Sequence, residues 1–217
     1  MAGDAEIDEV RLTTSDGETL EAEYCGPIVP GTPGIVLCHP HPLYGGSMRS
    51  LVISPLFRAL GTRGHRVLRF NFRGVERSTG HHDDGNAEQL DALAAVEHLR
   101  STLPTATPIV VVGFSFGADV ALSLTDASIV GWCAIAPPLR FAHSTSAATD
   151  PRPKLVVLAG NDDFRPASEV EAITATWPAA RTVVVPGASH FFVGRDAMVV
   201  EEVGAYCASF TAPPGAP

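Results

Sequence analysis

The chain has 217 residues, 45% of them hydrophobic and 18% charged, with a formal net charge of −9 and a pI near 5.3. That length and apolar content suit one domain with a sizeable core and exclude a disordered or coiled-coil chain. The acidic balance argues against nucleic acid and anionic membrane as partners, since both need clustered Lys and Arg.

No apolar run approaches the ~18 residues of a membrane span. The opening "MAGDAEIDEV" is acidic and lacks the apolar stretch of a signal peptide. Cys25, Cys38, Cys133 and Cys207 are scattered, with no Cys-x-x-Cys pair, which fits reduced and mostly buried thiols in a cytoplasmic protein. One domain is expected over residues 1–210, with "TAPPGAP" at 211–217 a frayed tail.

The first segments, "EIDEVRLTT" and "ETLEAEYCG", alternate in polarity across "SDG". This predicts an antiparallel hairpin turning at Ser15, Asp16 and Gly17. Continuous apolar runs follow at 34–39, 66–71, 108–114, 128–136, 154–160 and 181–187. Runs apolar on both faces predict strands covered on both sides by helices. Helices are expected at about 48–61, 86–101, 116–125, 167–176 and 195–210. In the second, Leu90, Leu93, Ala94 and Leu99 would share the buried face, with Asp83, Asp84 or Asn86 as cap. The alternation predicts an α/β fold: a largely parallel twisted sheet with an antiparallel N-terminal edge.

Ligand sites in such sheets lie at the carboxyl ends of the strands. "HPHPLYGGS", "RGVERSTG", "SFG", "NDDF" and "ASHFF" all leave strands at that end. "VVVGFSFGAD" places Gly-x-Ser-x-Gly between a β-branched run and a helix. That is a nucleophile elbow, with Gly113 and Gly117 giving clearance for a sharp turn that presents Ser115. A serine hydroxyl hardly ionises near neutral pH, so it needs a base and a carboxylate to orient that base.

After such an elbow, acid and histidine follow in that order, and the chain offers Asp162 or Asp163, then His190. Asp163 is the expected acid, because it falls deeper in the loop after Gly160; Asp162 is the alternative and could instead cap the following turn. The Phe116 N–H is one expected oxyanion donor. Pro40 and Pro42 have no N–H, which leaves His41, with Leu43 second, as the other.

"HPHPLYGGSM", "FNFRGVERSTG", "GFSFGA" and "PGASHFF" together resemble the compact, capless α/β-hydrolases related to dienelactone hydrolases and small serine esterases. The resemblance implies Ser115 as nucleophile, His190 as base, Asp163 as acid, and His41 and Phe116 as the oxyanion hole. Two positions depart from it. Dienelactone hydrolases proper use a cysteine where this chain has Ser115, and Glu76 stands where relatives carry a glycine.

The segment between the strands ending near Ala136 and starting at Lys154 is too short for a lid domain, so an open site is expected. Leu43, Tyr44, Phe114 and Phe191 would line an apolar pocket, while Trp132 and Phe141 default to the core. His39, His41 and "HHDD" lack a third ligand at usable spacing, so neither metal nor cofactor is expected; Arg73 is expected to organise its loop. The function these residues imply is hydrolysis of a small ester, thioester or lactone through an acyl-enzyme. The competing reading is a ligand-binding or partner-binding protein on the same fold, because fold alone does not fix function.

Overall fold

The computed structural model describes residues 6–141 and 145–212. Most of the expected tail, 213–217, and the first five residues lie outside them. The start of the tail is tied down: the N–H of Ala212 donates to Gly31 O at 2.8 Å.

Strands β1 (Asp8–Thr13) and β2 (Thr19–Cys25) form the expected hairpin, turning at Gly17 with φ 94°. Among the described residues, six strands follow: β3 (Gly34–Cys38), β4 (Val67–Phe70), β5 (Ile109–Phe114), β6 (Ile129–Ile135), β7 (Lys154–Ala159) and β8 (Ala180–Val185). The sheet order is β1-β2-β4-β3-β5-β6-β7-β8. β1 and β2 run antiparallel to their neighbours, and every pair from β4 to β8 is parallel.

Among the described residues, five α-helices cover the sheet: α1 (Ile53–Thr62), α2 (Glu88–Thr102), α3 (Phe116–Ser123), α4 (Ala167–Thr174) and α5 (Asp196–Ala208). The side-chain alternation of β5 shows why its run is apolar throughout. Ile109 and Val111 face the core under α2 and α3, while Val110, Val112 and Phe114 face the core under α1 and α5. Each such side chain contributes roughly 2 kcal/mol by leaving water.

Two expectations about helices change. α1 begins at Ile53 rather than near 48. The Met48 N–H donates to Asn71 Oδ1 at 2.8 Å and Arg49 pairs with Glu76 at 2.7 Å, which holds the preceding residues as turns. In α2 Ala94 and Leu99 are buried as expected, together with Ala92, Ala95 and Val96, whereas Leu90 and Leu93 are half-buried. A polar anchor sets that rotation: buried Asp91 accepts from the Arg73 N–H at 2.9 Å and from its guanidinium at 2.7 Å. None of the three cap candidates holds the N-cap position, which is Ala87 and carries no side-chain cap; Asp83 instead accepts the Ala87 N–H at 3.2 Å and so closes the turn before the helix.

The strand order reverses about β3, whose neighbours are β4 and β5. Cys38 at the end of β3 is in register with Gly113 near the end of β5. The loops leaving these two strands therefore start side by side at the switch point of the sheet. Between β6 and β7 the described residues carry one 3-10 turn, Ser146–Ala148, and no lid domain is inserted.

Candidate active site

The turn from β5 into α3 holds Ser115 at φ 54° and ψ −122°. A serine in this region is strained by about 1–3 kcal/mol and persists only where its surroundings impose it. The constraints are visible. The Ser115 N–H continues the sheet ladder to Ile135 O at 2.8 Å. A Cβ on Gly113 would stand 2.2 Å from Gly117 O, and one on Gly117 would stand 2.4 Å from both Cys38 O and His39 O. Both glycines are required by close approach of backbone.

The loop after β8 brings His190, at 5% exposure, to the same end of the sheet. It is stitched to the loop after β7, where the Gly160 N–H donates to Val185 O at 3.0 Å and the Asn161 N–H to Ala188 O at 2.8 Å. The His190 ring lies over Phe164, with centroids 4.4 Å apart. Its Nε2 is 2.9 Å from Ser115 Oγ, and its Nδ1 is 2.8 Å from Asp162 Oδ2. A carboxylate can only accept from Nδ1–H, so the Nε2 lone pair faces the serine hydroxyl, which donates to it.

The carboxylate beside His190 is thus Asp162, and the expectation of Asp163 is corrected: Asp163 is exposed. The turn explains the swap. Asp162 Oδ1 accepts the N–H of Phe164 at 2.8 Å and of Arg165 at 3.2 Å, which fixes the side chain with Oδ2 toward the histidine. Asp162 both caps the turn and meets His190. Burial alone would raise its carboxyl, but the His190 contact and the two N–H donors outweigh this and hold it below the usual carboxylate range.

The donors for an oxyanion follow from the same loops. Phe116 is the first residue of α3, where the N–H has no acceptor within the helix. In the loop after β3, the Leu43 N–H donates to His41 Nδ1 at 3.3 Å, which leaves His41 rather than Leu43 with a free N–H among the described residues. Burial, followed by the nearby His82, pushes the His41 ring's pKa down. His39 is not a ligand in waiting. It is fully buried, accepts the Phe72 N–H on Nε2 at 2.9 Å, and so donates from Nδ1 to Pro40 O at 2.6 Å.

A cleft of about 430 Å³ opens over Ser115 and His190. Tyr44, Phe114 and Phe191 line it as expected, and Leu43 does not; Leu43 points to solvent at 71% exposure. Phe141 and Phe164 line it too, along with Leu51, Ser50 and Arg140. None of these five carries a local sequence signal, because the fold brings them in from separate loops. Trp132 is fully buried.

Glu76 has φ 48°, so the position does need the left-handed conformation that glycine takes easily. Its carboxylate accepts from Arg49 at 2.7 Å and Asn71 at 3.1 Å. Arg73 ties its loop to Asp91 and Asp16 and lies away from the cleft lining. The four cysteines are buried and free, and burial pushes the thiols of Cys25 and Cys207 up to about 12, so none is poised as a nucleophile.

Comparison with known proteins identifies the fold. The model of the α/β-hydrolase fold matches residues 33–128. An α/β serine hydrolase homologue from Coxiella burnetii superposes with a TM-score of 0.81 at 32% identity, covering 92% of this chain and 96% of that one. A lidless α/β serine hydrolase from Xanthomonas campestris gives 0.81 at 30% identity, covering 98% and 97%. An uncharacterised protein of Rickettsia prowazekii is 33% identical over 184 residues, 80% of this chain and 77% of its own. The chain belongs to the α/β-hydrolase family, among its compact lidless members.

Proposed function

We propose that this protein is a serine hydrolase that cleaves carboxylic esters, or the thioesters and lactones that present the same carbonyl, through an acyl-enzyme. The observation that carries the reading is the pair of contacts on one imidazole, 2.9 Å to Ser115 and 2.8 Å to Asp162. His190 takes the proton of Ser115 as Oγ attacks the carbonyl carbon. Asp162 holds the imidazole in the needed tautomer and stabilises the imidazolium. The N–H groups of Phe116 and His41 meet the developing oxyanion, each worth about 3–4 kcal/mol of barrier. His190 then returns the proton to the leaving oxygen or sulfur. Water, activated by the same His190, hydrolyses the acyl-enzyme and frees Ser115.

The cleft is apolar and unlidded, which favours small or unhindered acyl groups against Phe114 and Phe191. Buried reduced thiols fit a cytoplasmic setting. A panel of p-nitrophenyl esters from acetate to octanoate, with matched thioesters, tests the reading. Turnover of the short esters, lost by about 10⁴-fold or more in Ser115→Ala, is expected. Activity confined to long-chain lipid emulsions, or near-wild-type turnover by that variant, contradicts it.

A further inference from the structure

Asp119 lies in the first turn of α3, four residues past the candidate nucleophile, at 3% exposure. A buried carboxylate is unfavourable unless hydrogen bonds compensate it. Here they come from one short loop. Oδ1 accepts the N–H of Leu139 at 2.8 Å, and Oδ2 accepts those of Arg140 at 2.7 Å and Phe141 at 2.9 Å. Leu139 has φ 55°, a left-handed conformation that leucine keeps only when its surroundings impose it. The residue just before Leu139 is also held, since Pro138 O accepts from Arg165 Nη1 at 2.9 Å. Arg165 in turn gives its N–H to Asp162 at 3.2 Å.

The loop is therefore strapped between the helix of Ser115 and the turn of Asp162. It is also a wall of the cleft, to which Pro138, Arg140 and Phe141 contribute. The Phe141 ring packs on His41 and Phe116, at centroid distances of 4.9 and 5.7 Å, beside the two expected oxyanion donors.

We propose that Asp119 is a positioning residue that fixes this wall and thereby sets which ester groups fit against Phe141 and Arg140. The inference rests on the serine-hydrolase reading for its substrates, and on geometry alone for the strap. Without the carboxylate, the three N–H groups turn to water, Leu139 relaxes to negative φ, and Phe141 leaves its place.

The test compares wild type with Asp119→Asn and Asp119→Ala. Amide hydrogen exchange reads the strap directly: exchange at Leu139, Arg140 and Phe141 should quicken about tenfold or more in the variants. The ratio of kcat/KM for p-nitrophenyl butyrate to octanoate reads the wall, and should shift by about fivefold or more, mostly through KM. A merely structural role lowers both esters together by lowering the folded fraction, and leaves the ratio alone. Asp119→Asn keeps one oxygen acceptor but turns its NH2 on at least one of the three N–H groups, so it carries the test through faster exchange at that amide if Asp119→Ala does not fold. Unchanged exchange at the three amides, or an unchanged ratio in folded variants, overturns the proposal. Failure of the folded wild type to react with a fluorophosphonate overturns the hydrolase reading and the substrate role with it, while the exchange result still decides the strap.

Discussion

Asp162 Oδ2 stands 2.8 Å from Nδ1 of His190, while the opposite oxygen of the same carboxylate closes the turn at Phe164. Charge and orientation thus come from one side chain held at both ends. Asp162→Asn should leave the turn near its native shape but present an amide to the imidazole and favour the wrong tautomer. A loss of about 10⁴-fold in kcat is expected. Asp163→Asn, at an exposed position, should stay within about threefold. Steady-state kinetics on a short ester decides between them, and the reverse ranking would assign the acid to Asp163.

Clearance at the elbow can be tested by adding one methyl group. A Cβ at Gly117 meets two carbonyl oxygens at 2.4 Å, and neither backbone can retreat without disturbing β3. Gly117→Ala should cost about 2–3 kcal/mol of stability in urea unfolding. It should also slow acylation of Ser115 in the fraction that remains folded. Stability and reactivity like those of wild type would show that the turn is not under this constraint.

Glu76 occupies φ 48° at an energetic cost that its contacts with Arg49 and Asn71 offset. Glu76→Ala keeps the strained backbone and loses both contacts, so it should destabilise by about 1–2 kcal/mol. Glu76→Gly loses the same contacts but relieves the backbone, and should fall within about 1 kcal/mol of wild type. Denaturation midpoints showing glycine worse than alanine would contradict this.

Burial lowers the pKa of His39 from 6.5 to about 3. Between those values the unfolded chain binds a proton there and the folded chain does not. Stability therefore rises with pH across that window and falls on acidification, by about 1.4 kcal/mol per pH unit for this one group. His39→Gln can still accept the Phe72 N–H and should remove that share of the slope. His41, His65 and His98 are lowered too, so some slope persists. Urea midpoints from pH 7 to 4 with equal slopes in both proteins would contradict the assignment.

Much of this architecture can be read in the chain because both faces of the parallel strands are buried. Val110 to Phe114 cannot alternate in polarity, and that run marks β5 to within a residue. The order of serine, acid and histidine follows from strand order, and so does their common end of the sheet. What escapes the sequence is set by contacts between loops. Asp162 and Asp163 differ only in which side chain the turn at Phe164 and Arg165 captures. The rotation of α2 depends on Arg73, distant in sequence from Asp91. Phe141 and Phe164 reach the cleft from loops without periodicity, and Leu43 leaves it because its 3-10 turn points the side chain outward.

The central claim is that Ser115 is an activated nucleophile. Intact-mass analysis after treatment with a fluorophosphonate probe tests it most directly, on wild type, Ser115→Ala and His190→Ala. One stoichiometric adduct on wild type, absent from both variants, is the predicted result. No adduct on a folded wild type, or an adduct that survives Ser115→Ala, would contradict it.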